Sequence, residues 1–247
     1  MARHGNISAE ESPLLLALET TGMCGSIALV AEGVCVAEFS LQTRATHSRR
    51  LLHGVEWLLN QVGCDWPQIH GIAVSLGPGS FTGLRIGLST AKGLAMAADK
   101  PLVGVPTLDA LAAQFAHLAH PLCVVLDARK KEVYAAFYES SAHGAFRRTS
   151  DFLVLAPETL AAKITVPTVL VGDGAVLYEE RFRELLGDLA LPLPSSCYFP
   201  RAATVGMLAW PLYRRRDFLE PAAAVPIYVR ASDAELNFIP PVSRQAP

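Results

Sequence analysis

The stretch Leu76-Gly-Pro-Gly-Ser-Phe-Thr-Gly-Leu-Arg-Ile-Gly-Leu-Ser-Thr-Ala-Lys-Gly-Leu-Ala-Met96 constrains this chain more than any other. It follows an apolar run, Ile69 to Leu76, that reads as a buried strand. Gly77, Pro78 and Gly79 break that strand. Ser80 or Thr82 can cap the helix that follows, because either hydroxyl can accept an orphan backbone N–H. That helix carries a small residue at every fourth position, Gly83, Gly87, Ala91 and Ala95, which places them on one face. Glycine inside a helix costs about 1 kcal/mol relative to alanine. Two on one stripe therefore demand a close approach by another backbone.

The 247 residues suffice for one large domain or two lobes with a substantial core. Hydrophobic residues make up 51% and charged residues 18%, so part of the surface is expected to be covered by something else. The net charge of -2 and pI near 6.4 do not suit a chain that holds RNA alone, which needs a basic patch. Arg129-Lys130-Lys131 and Arg214-Arg215-Arg216 are local clusters, read as a solvated turn and a solvated helix end. Cys24, Cys35, Cys64, Cys123 and Cys197 are scattered, with no C-x-x-C pair. That pattern predicts reduced thiols and no structural zinc. The apolar run Leu14–Leu18 is too short for a membrane span or a secretory core, so a cytoplasmic protein is expected.

Three short strands, Leu14–Leu18, Ser26–Val30 and Val34–Leu41, precede a helix from His47 to Val62 with Leu51, Leu52, Val55, Leu58 and Leu59 at helical spacing. After the small-residue helix come a strand near Leu102–Val105 and a helix from Thr107 to about Leu118. The pattern then begins again. Leu122-Cys-Val-Val-Leu-Asp127 repeats Leu14-Leu-Leu-Ala-Leu-Glu19, an apolar strand ending in an acid, and a second strand, Val133–Tyr138, follows. Further strands are expected near Phe152–Leu155 and at Thr168–Val171. Helices are expected from Pro157, over Ala175–Leu186 and over Ala202–Tyr213. Pro221 to Pro247 reads as a largely extended or loose tail. The order of elements is mixed α/β with an internal duplication.

Leu15-Leu-Ala-Leu-Glu-Thr-Thr21, Gly77-Pro-Gly-Ser-Phe-Thr-Gly-Leu-Arg-Ile-Gly87, Gly104-Val-Pro-Thr-Leu-Asp109, Asp127-Ala-Arg-Lys-Lys-Glu-Val-Tyr134 and Pro226-Ile-Tyr-Val-Arg230 occur in that order. Together they resemble the TsaB (YeaZ) family, from about Leu14 to Arg230. The resemblance implies a two-lobed actin-like ATPase (ASKHA) fold, each lobe with an RNase-H-like mixed sheet. The first lobe would span residues 1–108, with the helix near 201–216 packing back on it. The second would span 109–200, and 221–247 would be the tail. The resemblance also implies a non-catalytic scaffold for threonylcarbamoyl transfer to adenosine 37 of tRNAs that read ANN codons. The transferase activity would reside in a paralogous partner, TsaD, which carries the metal and the active site. TsaE, a small ATPase, joins the pair, and TsaC makes the activated donor. The chain would pair with itself in isolation, would meet tRNA only through the complex, and would touch no membrane.

The implied docking surface is the helix pair carrying Leu51, Leu52, Val55, Leu58, Leu59, Gly83, Leu84, Gly87, Leu88, Ala91 and Ala95. No cofactor of its own is implied, with a nucleotide at the TsaD interface as an alternative. A vestigial nucleotide or phosphate site would use Glu19, Gly77, Gly79, Ser80 and Asp127, because glycine amides before a helix attract anions and a carboxylate pair can orient hydrated magnesium. Against it, no Lys-Ser or Lys-Thr follows the glycines, and Glu19 stands where the family commonly has Asp. No His-x-x-x-His pair forms on the first helix, since Leu51 follows His47 by four and Trp57 follows His53 by four, so no metal is expected. The rival readings are an ATP-dependent actin-like enzyme and a metallopeptidase.

Overall fold

The computed structural model describes residues 12–42, 47–140, 146–191 and 198–230. The first lobe contains β1 (Leu14–Glu19), β2 (Cys24–Ala31), β3 (Val34–Gln42), α1 (His47–Val62), β4 (Ile69–Gly77), α2 (Phe81–Ala98) and β5 (Leu102–Pro106). Its sheet has the order β3-β2-β1-β4-β5. β1, β2 and β3 are antiparallel, whereas β4 runs parallel to β1 and β5 parallel to β4. This is the mixed sheet of an RNase-H-like lobe. β1 is apolar along its length because both of its faces are covered. Leu14, Leu16 and Leu18 join α1 and α2 in one core. Leu15 and Ala17 point the other way, toward α7 (Ala202–Arg214), which returns from the far end of the chain.

The second lobe begins with α3 (Thr107–Ala113), whose Leu108 and Leu111 pack with Val124 and Tyr138. Its strands are β6 (Leu122–Asp127), β7 (Val133–Ser140), β8 (Phe146–Arg148), β9 (Leu153–Leu155), β10 (Thr168–Val171) and β11 (Ala190–Leu191). Its helices are α4 (Pro157–Ala161), α5 (Asp173–Leu177) and α6 (Glu179–Leu186). The order β11-β10-β6-β7-β8, with β9 also on β7, gives β6 the place that β1 holds in the first sheet. Each sits between an antiparallel neighbour that follows it directly and a parallel neighbour that comes later. The acid-ended strands read as a repeat are thus the corresponding central strands of two mixed α/β sheets.

Three expectations change. The helix starting at Thr107 ends at Ala113 and continues as tighter turns, with Phe115 N donating to Ala112 O and Leu118 N to Phe115 O. Thr107 is its first residue, and the Thr107 hydroxyl accepts the Gly77 N–H at 3.0 Å. The helix expected over Ala175–Leu186 starts earlier and breaks at Tyr178 into α5 and α6. The tail is not loose over its described part. Leu219 N donates to Leu102 O and Ile227 N to Leu76 O, each at 2.8 Å, and Ala224 is buried in the first lobe. His4, His143, Cys197 and the tail beyond Arg230 lie outside the described residues.

α2 is set by the turn after β1. Ser80 caps the helix through Gly83 N, while its own N–H donates to Thr21 O at 2.7 Å. The Thr20 hydroxyl donates to Gly83 O at 2.8 Å. A methyl group on Gly83 would stand 2.0 Å from Thr20 O, and one on Gly87 2.2 Å from Thr20 Oγ1. The close backbone approach read from the glycines therefore comes from the chain's own Thr20–Thr21 turn and not from a partner helix. Gly83→Ala forces that turn off the helix and is expected to cost about 1–3 kcal/mol. Urea unfolding would show it as a lower midpoint at unchanged slope.

Candidate functional site: an interlobe cleft and an outward helix pair

A cleft of about 460 Å³ opens between the lobes where β1, β4 and β6 end. Gly79 and Ser80 form one wall, Asp127 and Asp173 the opposite one, and Tyr228 and Arg230 of the tail close a side. Of the sequence-expected phosphate site, Gly79, Ser80 and Asp127 reach this cleft, whereas Glu19 and Gly77 do not line it. The amides of the loop and the start of α2 are partly engaged within the chain. Gly77 N is held by Thr107 Oγ1, Ser80 N by Thr21 O and Gly83 N by Ser80 Oγ.

Glu19 is fully buried and serves its own turn: Oε1 accepts both the N–H and the hydroxyl of Thr21, each at 2.5 Å. Among the described residues neither its Oε2 nor the Ser75 hydroxyl, both buried, has a hydrogen-bond partner. Burial pushes the Glu19 carboxyl above the ordinary carboxylate range, and the polar influence of Ser75 and Thr21 only partly offsets this. The acid is thus suited to carry a proton and poorly suited to hold a hydrated cation.

In the second lobe Asp127 Oδ1 accepts Arg129 N at 2.8 Å, and its Oδ2 pairs with the Arg129 guanidinium at 3.1 Å. Asp173 Oδ1 accepts Asp127 N at 3.0 Å. Burial raises the Asp173 carboxyl, and that backbone hydrogen bond opposes the rise. The turn that follows carries Arg129, Lys130 and Lys131 at φ of 60°, 53° and 62°, a left-handed run without glycine. Among the described residues no group of three His, Cys, Asp or Glu could hold a metal ion. No helix there is long and apolar enough to cross a membrane.

The structure corrects the residues assigned to the helix-pair surface. Leu51, Val55, Leu58, Leu59, Leu84, Leu88, Ala91 and Ala95 are buried in the chain's own lobe, as are Gly83 and Gly87. The sheet consumes more of each helix than the spacing suggested. Of the assigned set only Leu52 is open, at 51% exposure. What α1 and α2 turn outward is a different set: Leu52 and Trp57 on α1, and Thr82, Arg85, Ser89, Gly93 and Met96 on α2. Gly93 is the informative member, for a methyl group added there would meet nothing within 4 Å. Its distance of six residues from Gly87 already placed it off the inward stripe, at about 100° per residue. Arg85, poorly placed for the helix dipole, lies over the Phe81 ring at 3.8 Å and donates to the Tyr228 hydroxyl at 3.4 Å. Sequence reasoning missed Asp173 and the tail as cleft walls, although the motif Pro226-Ile-Tyr-Val-Arg230 stood out.

The family described as "TsaD: tRNA N6-adenosine threonylcarbamoyltransferase" matches residues 41–238. The tRNA threonylcarbamoyladenosine biosynthesis protein TsaB of Escherichia coli (strain K12) is 34% identical, over 82% of this chain and 95% of its own. The protein of the same name from Bacillus subtilis (strain 168) is 28% identical, over 91% of this chain and 97% of its own. The solved structure described as YeaZ from Pseudomonas aeruginosa matches with a TM-score of 0.73 at 31% identity, over 88% of this chain and 100% of that one.

The raised Glu19 carboxyl sets a pH dependence. A carboxyl raised in the folded state binds its proton more tightly there than in the unfolded chain. Stability is therefore fullest below the ordinary value of 4.5 and falls as pH rises through the raised folded value. Glu19→Gln keeps an acceptor for Thr21 and offers Ser75 a donor. It is expected to match or exceed the native chain in urea unfolding at about pH 8 and to lose that advantage at about pH 4. A large loss at both would show that the site needs the charge.

Proposed function

Because the chain belongs to the TsaB (YeaZ) family, we propose that it works in tRNA threonylcarbamoyladenosine biosynthesis as an accessory subunit. On this reading the outward face of α1 and α2 docks the catalytic paralogue TsaD, and pairs with a second copy when TsaD is absent. TsaE joins that assembly, and tRNA is met only there. The chain does no chemistry and holds no cofactor of its own.

The observation that carries the docking assignment is Gly93. It stands inside a helix of 18 residues, faces outward and has open space beyond it. Among the described residues nothing packs on it, yet it costs the helix about 1 kcal/mol relative to alanine. A partner helix lying close across α2 supplies the reason, with Ser89 on the same side and the exposed Leu52 and Met96 as apolar flanks. Met96 is 67% exposed and Trp57 50%, a large apolar offering for neighbouring helices. The rival reading, ATP turnover in the cleft, is disfavoured by Glu19 being closed off from it and by the loop amides being engaged.

Gly93→Ala is expected to raise the stability of the isolated chain by about 0.5–1 kcal/mol. Gly93→Arg should fold as the native chain does but bind TsaD roughly tenfold or more weakly, about 1.4 kcal/mol. Light scattering on a sizing column, with and without TsaD, measures both pairings. Undiminished binding by Gly93→Arg would refute the docking face, and ATP hydrolysis by the purified chain would refute the accessory role.

A further inference from the structure

The described tail crosses from one lobe to the other over the cleft. On the first lobe it is fixed repeatedly. Leu219 N reaches Leu102 O, Lys92 Nζ reaches Ala224 O at 3.1 Å, and Ile227 N reaches Leu76 O. Gly77 makes room for it, since a methyl group there would stand 2.9 Å from Ile227 O. Tyr228 then packs on Phe81, with ring centroids 5.5 Å apart. Two residues later the chain changes lobe. One arm of the Arg230 guanidinium donates to Ala128 O at 2.7 Å, and the other pairs with the Glu132 carboxylate. Both partners belong to the turn between β6 and β7, and the Arg230 side chain is only 18% exposed.

We propose that residues 217–230 are an intramolecular latch, anchored on the first lobe and fastened by Arg230 to the β6–β7 turn, which holds the lobes at one angle. Two lobes joined through few connections rotate unless a large interface or a clasp stops them. A two-pronged guanidinium is suited to the task, because its planar fork fixes direction as well as distance. The strap runs beside the carboxyl end of β4, the region where an open α/β sheet ordinarily receives a ligand. The chain's own backbone takes part of that space. This inference concerns the isolated chain and stands apart from the docking reading.

The test is single-molecule energy transfer between dyes placed through non-natural amino acids at Arg215, just after α7, and Lys163 in the second lobe, both exposed. The native chain should give one narrow distance peak. Arg230→Ala and Glu132→Gln should each broaden or shift it, and Arg230→Lys, which keeps the charge but not the fork, should fall between. The double variant should add little to Arg230→Ala, since the Glu132 pairing is already lost there. A thermal melt of each variant, taken alongside, separates a freed hinge from a damaged fold. A peak as narrow in Arg230→Ala and Glu132→Gln as in the native chain overturns the latch, and so does broadening matched by loss of cooperative melting.

Discussion

The fit of one turn against one helix organises the first lobe. Thr20 and Thr21 lie on α2 so closely that glycine is the residue that fits at positions 83 and 87. The turn donates to Gly83 O and accepts from Ser80 N, so helix and turn are joined in both directions. Glu19 then holds the turn from beneath, through Thr21. This contact decides which side of α2 faces the sheet and therefore which side is left for others. Ala91 and Ala95 continue the inward ridge, and Ser89, Gly93 and Met96 necessarily occupy the opposite side.

The same contact explains why the cleft looks inherited but differently used. Strand ends and glycine loops converge there, as open α/β sheets bring them together at their carboxyl edge. The acid at the end of β1, however, is turned into the protein and surrendered to a structural hydrogen-bond set. On the second lobe Asp127 is engaged by Arg129 and Asp173. The polar groups around the cleft largely serve one another and the strap that crosses it.

Much of this was legible in the sequence. The central strands stood out as unbroken apolar runs, because both of their faces are covered, whereas the short β8 and β11 carried no such signal. The duplication was legible since Leu14–Glu19 and Leu122–Asp127 are the matching central strands. The helix pair was legible, but its solvent side was misjudged. Apolar spacing reveals which residues want burial and not what buries them. Leu51, Val55 and Leu58 satisfy their own sheet, and an exposed surface must be sought among the residues left over. The strap was opaque for a different reason. Its hold depends on backbone amides meeting Leu76 and Leu102, far away in sequence, and no composition rule signals such pairings.

The path of α7 has a consequence for how the protein is made. One whole face of the first sheet, including Leu15, Ala17, Val30, Ala73 and Val103, is covered by a helix that ends at Arg214. All strands of the second sheet precede that helix in the chain. A nascent polypeptide leaving the ribosome amino end first therefore has the parts of its later half ready before its earlier half is sealed. Synthesis proceeds in one direction and completion in the other, and the earlier half keeps a bare greasy sheet until α7 has emerged.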